Sequence, residues 1–69
     1  MKTNEEKLKG LVVDCLPNLF YKVELEDGKI IRAYMAGKMK LNRIRVIVGD
    51  KVEVVVPEKG EIYRLVYRF

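Results

Sequence analysis

The 69 residues contain no histidine and a single cysteine, Cys15. A lone cysteine forms no internal disulfide, and without histidine the usual zinc ligand sets cannot be assembled. The longest apolar runs, such as residues 46–48 and 54–57, fall far short of the roughly 20 residues that span a bilayer. The first seven residues are polar and carry acids, with no apolar stretch or small-residue cleavage site behind them, so no secretory signal is visible. A reduced, cytoplasmic setting is the expectation, with no membrane partner. The missing histidine also removes the side chain that most often does general acid and base work at neutral pH. Cys15 has no histidine to activate it, and its neighbours Asp14 and Leu16 disfavour a thiolate, so it reads as an inert, partly buried thiol. Gly37-Lys38 lacks the upstream glycine of a phosphate loop. These absences argue against an enzyme, a cofactor or a metal.

What is present is enough to fold. Hydrophobic residues make up 49% and charged residues 35%, which lies outside the disordered regime of few apolar groups and high charge. A chain of this size buries only roughly 60% of its unfolded surface, enough for one minimal core and no enclosed substrate cavern. We therefore expect a single domain over residues 1–69, with residues 1–6 as a flexible tail.

The net charge of +4 is unevenly spread. Residues 1–28 carry four basic and six acidic side chains, and residues 46–69 balance four against four. Residues 29–45 hold Lys29, Arg32, Lys38, Lys40, Arg43 and Arg45 with no acid. Segregated positive charge interleaved with Tyr34, Met35 and Met39 suits a polyanion such as nucleic acid. The bland reading of the same segment is a solvated face.

Short alternating segments separated by Gly10, Leu16-Pro17-Asn18, Asp27-Gly28, Gly37, Gly49-Asp50 and the run from Pro57 to Gly60 predict strands. Over residues 20–26, Tyr21, Val23 and Leu25 share one face, while Phe20, Lys22, Glu24 and Glu26 share the other. Asp27-Gly28 tolerates positive φ, and residues 30–36 resume the alternation with Ile31, Ala33 and Met35 inward and Arg32 and Tyr34 outward. That pair predicts a hairpin. Residues 7–16 predict a strand that bends or bulges near Gly10, and residues 51–56 and 64–68 predict two more. Residues 37–44 lack alternation, so Met39, Leu41 and Ile44 are candidate anchors of a short helical turn or loop over the barrel end. The resulting expectation is an all-β, five-stranded Greek-key barrel of the oligonucleotide-binding type, with that insertion between strands 3 and 4. Its outward face gathers Phe20, Lys22, Arg32 and Tyr34 as a stacking platform in a positive field. Core packing is the alternative for Phe20, because a phase assignment slips easily by one residue.

Leu16-Pro17-Asn18, residues 23–28 (Val-Glu-Leu-Glu-Asp-Gly), Gly37-Lys38-Met39-Lys40, Asn42, Ile44-Arg45 and Gly49-Asp50-Lys51-Val52 follow one another at fixed spacing. From Gly10 to Val54 this series resembles bacterial translation initiation factor one without a gap. The resemblance implies a barrel that binds the small ribosomal subunit at its decoding (A) site, a monomer when free. It implies contact there with ribosomal RNA and a neighbouring ribosomal protein, and action with the other two initiation factors in start-codon selection. It further implies that Lys38, Lys40 and Arg45 contact phosphates, Met39 packs against bases, Asn42 flanks the inserted loop, and Arg43 adds positive field. Arg64 and Arg68 match a final strand whose arginines face RNA, a solvated terminus being the other reading of Arg68.

The chain also departs from that pattern. Tyr34 stands where many members carry histidine, and Ala36 replaces the usual serine. Residues 55–63 replace a more polar loop one residue longer, adding Glu58 and Glu61 and placing Tyr63 where a glycine precedes Arg64. A general single-stranded RNA chaperone of the cold-shock type is the alternative function. Cold-shock proteins use a denser set of aromatics on strands two and three than Phe20 and Tyr34 supply.

Overall fold

In a computed structural model that describes residues 6–69, the alternation read above becomes five strands around one core. These are β1 (Lys7–Leu16), β2 (Phe20–Leu25), β3 (Ile30–Met35), β4 (Lys51–Val55) and β5 (Ile62–Arg68), with one short helix, α1 (Gly37–Leu41), between β3 and β4. Tyr21, Val23 and Leu25 from β2 and Ile31, Ala33 and Met35 from β3 are all buried, and Val12, Val52, Val54 and Leu65 complete the interior. β5 begins two residues earlier than the pattern predicts, because Ile62 and Tyr63 already pair with Arg32 and Ala33.

The sheet closes in the order β1-β2-β3-β5-β4, with β4 returning to β1. Every neighbouring pair is antiparallel except β3 and β5. This closed five-stranded barrel, with its short helix between β3 and β4, is the oligonucleotide-binding fold. The β2–β3 hairpin turns at Gly28 (φ 90°), whose N–H donates to the Leu25 carbonyl at 2.9 Å, while the Lys29 N–H donates to Asp27 Oδ1 at 3.0 Å.

β1 pairs with β2 on one side and β4 on the other, and Gly10 faces Leu25 and Val52. A Cβ at Gly10 would lie 2.5 Å from Val23 Cγ1 and 2.8 Å from the Glu24 carbonyl oxygen. Gly10 is thus required by close approach of strands, and the expected bulge is elsewhere. Register slips between Val12 and Asp14, leaving Val13 as the extra residue. The 46–50 loop seats against this point: the Gly49 N–H donates to the Val12 carbonyl at 2.8 Å, and the Val12 N–H donates to the Asp50 carbonyl at 2.9 Å.

Two further expectations change. Glu6, expected in a flexible tail, continues the β1–β4 ladder, its carbonyl accepting from the Val56 N–H at 2.9 Å; residues 1–5 lie outside the described residues. Cys15 is exposed, because it stands beyond the bulge at the barrel rim, where its thiol points to the Val46 carbonyl oxygen at 3.9 Å.

Candidate nucleic-acid interface

The basic segment is shaped by one buried side chain. Met39 is 2% exposed and packs into the barrel core, so α1 lies over the barrel end as a lid pinned at its centre. Pinning one residue of a five-residue helix turns its neighbours Lys38 and Lys40 to solvent. The Ala36 N–H donates to the Leu65 carbonyl at 2.9 Å, which ties the start of α1 to β5. The helix ends when the Asn42 N–H reaches the Lys38 carbonyl at 3.2 Å and Arg43 adopts a left-handed backbone at φ 53°. A non-glycine residue held there costs on the order of 1–3 kcal/mol. That turn lets Ile44 return to the core while Arg43 and Arg45 stay outside.

Met39 therefore corrects the expectation that it packs against bases: it is an internal plug, and its thioether is unavailable at the surface. Leu41, expected as a second anchor, is 85% exposed, because the helix turns it away from Met39. Lys40, Arg43 and Arg45 line one cleft of about 340 Å3, whose wall includes Leu19 and Tyr21. Leu19 was not anticipated from the sequence. The available signal was the Leu16-Pro17-Asn18 turn, in which Asn18 and Leu19 both take φ 62° and aim the connection toward α1's side of the barrel. Asn42 is exposed but lines no cleft with the three cations.

The second group stands on the outer face of the barrel. Phe20 opposes Tyr34 and Lys22 opposes Arg32 across β2 and β3, while Tyr34 is in register with Arg64 across β3 and β5. The two rings form an edge-to-face pair with centroids 6.4 Å apart. Phe20 is half-buried and Tyr34 is 38% exposed, so the outward phase holds for both. Like charges directly opposite in a sheet are destabilising. Lys22 and Arg32 meet in this way, with Asp14 next to Lys22 on its other side. A bound anion would relieve the repulsion between them.

Arg68 is placed differently from Arg64. It lies 3.9 Å from Asp50, so its charge is already engaged at the 46–50 loop. Arg64 is half-buried and lines a groove of about 540 Å3 together with Lys38. The structure thus joins Lys38 to Arg64, groups Lys40 with Arg43 and Arg45, and sets Phe20, Lys22, Arg32 and Tyr34 on one face. Among the described residues, no three His, Cys, Asp or Glu side chains group as a metal site, and no helix is long and apolar enough to cross a membrane.

Comparison with known proteins bears on the fold and the family. The solution structure of translation initiation factor one from the wolbachia endosymbiont strain TRS of Brugia malayi aligns at a TM-score of 0.79 and 26% identity, over 94% of this chain and 78% of that one. The crystal structure of YjeQ from Thermotoga maritima aligns at 0.79 and 29% identity, and YloQ, a circularly permuted GTPase, at 0.76 and 24%. Each of those alignments covers 93% of this chain but 23% of the larger one, and the YloQ likeness shows the fold alone. The family model described as Translation initiation factor 1A / IF-1 matches residues 1–68. With a barrel of that fold, a pinned basic helix and a family match along nearly its whole length, this chain belongs to the translation initiation factor 1A/IF-1 family.

Proposed function

We propose that this translation initiation factor binds the small ribosomal subunit at the decoding (A) site and contacts ribosomal RNA and a neighbouring ribosomal protein there. It acts with the other two initiation factors in start-codon selection, works in the cytoplasm and is a monomer when free. The observation that carries this reading is the display of Lys38, Lys40, Arg43 and Arg45 around the plug Met39, in a stretch of sequence with no acid. Lysine and arginine neutralise phosphates and release condensed counterions. The pinned helix and the turn that follows it also present these cations in a fixed pattern, which suits a folded RNA surface better than a flexible strand. Phe20, Lys22, Arg32, Tyr34 and Arg64 form the flanking surface, and Asn42 supplies a neutral polar group at the helix end. The contribution is binding and local rearrangement of RNA, without catalysis by the chain.

The test is binding of labelled protein to purified small subunits at fixed salt, with single-stranded RNA as competitor. Saturable one-to-one binding that resists free RNA and is lost on combining Lys38→Glu with Lys40→Glu supports the proposal. Displacement by any RNA at similar potency sinks it and favours a chaperone of the cold-shock type.

A further inference from the structure

Four elements spread along the sequence meet at the groove between α1 and β5. Its lining includes Lys7 from β1, Lys38 from α1, Glu53 from β4, and Arg64, Val66 and Tyr67 from β5. At about 540 Å3 it falls within the roughly 300–1,000 Å3 of small-ligand clefts. Three cations face one carboxylate, so the groove carries a net positive charge. Tyr67 is 54% exposed and meets Phe69 at 75° with centroids 4.9 Å apart, an edge-to-face contact that does not stack the two rings on each other. Lys7 lies outside the basic segment, and Tyr67 lies outside the Phe20–Tyr34 face.

We propose that this groove is a subsite for one nucleotide of single-stranded RNA, with the base on the Tyr67 ring and the adjoining phosphates among Lys7, Lys38 and Arg64. The inference rests on the RNA-binding reading above and extends it onto the β1–β4–β5 side of the barrel. An unpaired strand is the fitting ligand because only an unstacked base offers its face to a side-chain ring. An acidic peptide would use the cations and leave the ring idle. Glu53 opposes small free anions, so phosphate without a base binds poorly.

The experiment is a nuclear magnetic resonance titration of isotope-labelled full chain with a uridine tetranucleotide, with inorganic phosphate and a tetraglutamate peptide as controls. Lys7, Lys38, Arg64 and Tyr67 should shift together with the tetranucleotide, and phosphate at equal concentration should move none of them. Tyr67→Ala should weaken binding about tenfold, within the range for loss of one stacked base, while Tyr67→Phe restores it. Lys7→Glu should lower the slope of log affinity against log salt by at least about 0.7, the share of one phosphate on a single strand, because it removes a cation and adds an anion, whereas Tyr67→Ala leaves the slope unchanged. Thermal melts of each variant check folding, and both side chains are exposed. Unchanged affinity in Tyr67→Ala, or equal shifts with tetraglutamate, overturns the subsite. Parallel binding to small subunits separates the two proposals. If Lys38→Glu with Lys40→Glu abolishes subunit binding while Tyr67→Ala and Lys7→Glu bind RNA normally, the groove fails and the ribosomal reading stands. If the double variant binds subunits normally, the ribosomal reading fails.

Discussion

Phe20 and Tyr34 face each other in register across β2 and β3, with their ring planes inclined at 64°. Edge-to-face pairs contribute about 0.5–1.5 kcal/mol beyond the area they bury. A double-mutant cycle with Phe20→Ala and Tyr34→Ala, measured by urea denaturation, should give a coupling of that size. Strictly additive losses would show that the rings only share a surface. Tyr34→Phe should keep both stability and RNA affinity, because the ring and not the hydroxyl makes the contact.

Gly10→Ala should destabilise the barrel by about 1–3 kcal/mol, the usual cost of forcing a methyl group into a packed site. One obstacle is the Val23 side chain and the other is the Glu24 backbone carbonyl. Adding Val23→Ala should therefore fail to rescue the variant, and a rescued melting temperature would refute the close-approach account of this glycine.

Met39 and its neighbours should separate stability from binding. Met39→Ala empties a core position and should cost about 2–5 kcal/mol, whereas Met39→Leu conserves volume and should cost less than about 1.5 kcal/mol. Lys38→Glu with Lys40→Glu should leave the unfolding midpoint nearly unchanged and abolish subunit binding. Equal destabilisation by the two kinds of change would contradict the division between plug and display.

Tyr21 carries the pH prediction. Burial, assisted by repulsion from the Cys15 thiolate, raises its phenol above the ordinary value. The folded state therefore holds that proton more tightly than the unfolded state, whose tyrosine titrates near pH 10. This contribution to stability is complete below about pH 10 and is lost as pH climbs toward the folded pKa. Tyr21→Phe should flatten that alkaline decline, as read from denaturation midpoints between about pH 9 and pH 11. An unaltered decline would assign it to other groups.

Strand phase was legible in the sequence because it depends on local alternation: Tyr21, Val23, Leu25, Ile31, Ala33 and Met35 all point where a period of two puts them. The hairpin at Asp27-Gly28 was legible for the same local reason. Gly10 misled because glycine marks both a bulge and a close approach, and only the position of Val23 and Glu24 decides between them. The bulge at Val13 has no glycine or proline to announce it. Met39 was legible as an anchor but equally as a surface methionine, since a helix of five residues is too short to show a period. The basic segment announced itself as a run of charge, and its candidate site residues were read from that run. The Lys7–Arg64–Tyr67 groove did not, because β3 pairs in parallel with β5 and brings α1 beside a strand more than 20 residues away.

Closure of the ladder from β4 back to β1 has a last consequence for how such a chain changes. Among the described residues no strand lies at the outer edge of the ring, so a partner finds no full edge strand to extend and recognition falls to side chains and loops. Outward positions can then be exchanged one at a time, since the inward half of each strand holds the frame. The barrel is in this sense a fixed spool around which the lettering can be rewritten, which fits a fold kept at a TM-score of 0.79 while identity to the endosymbiont factor stands at 26%.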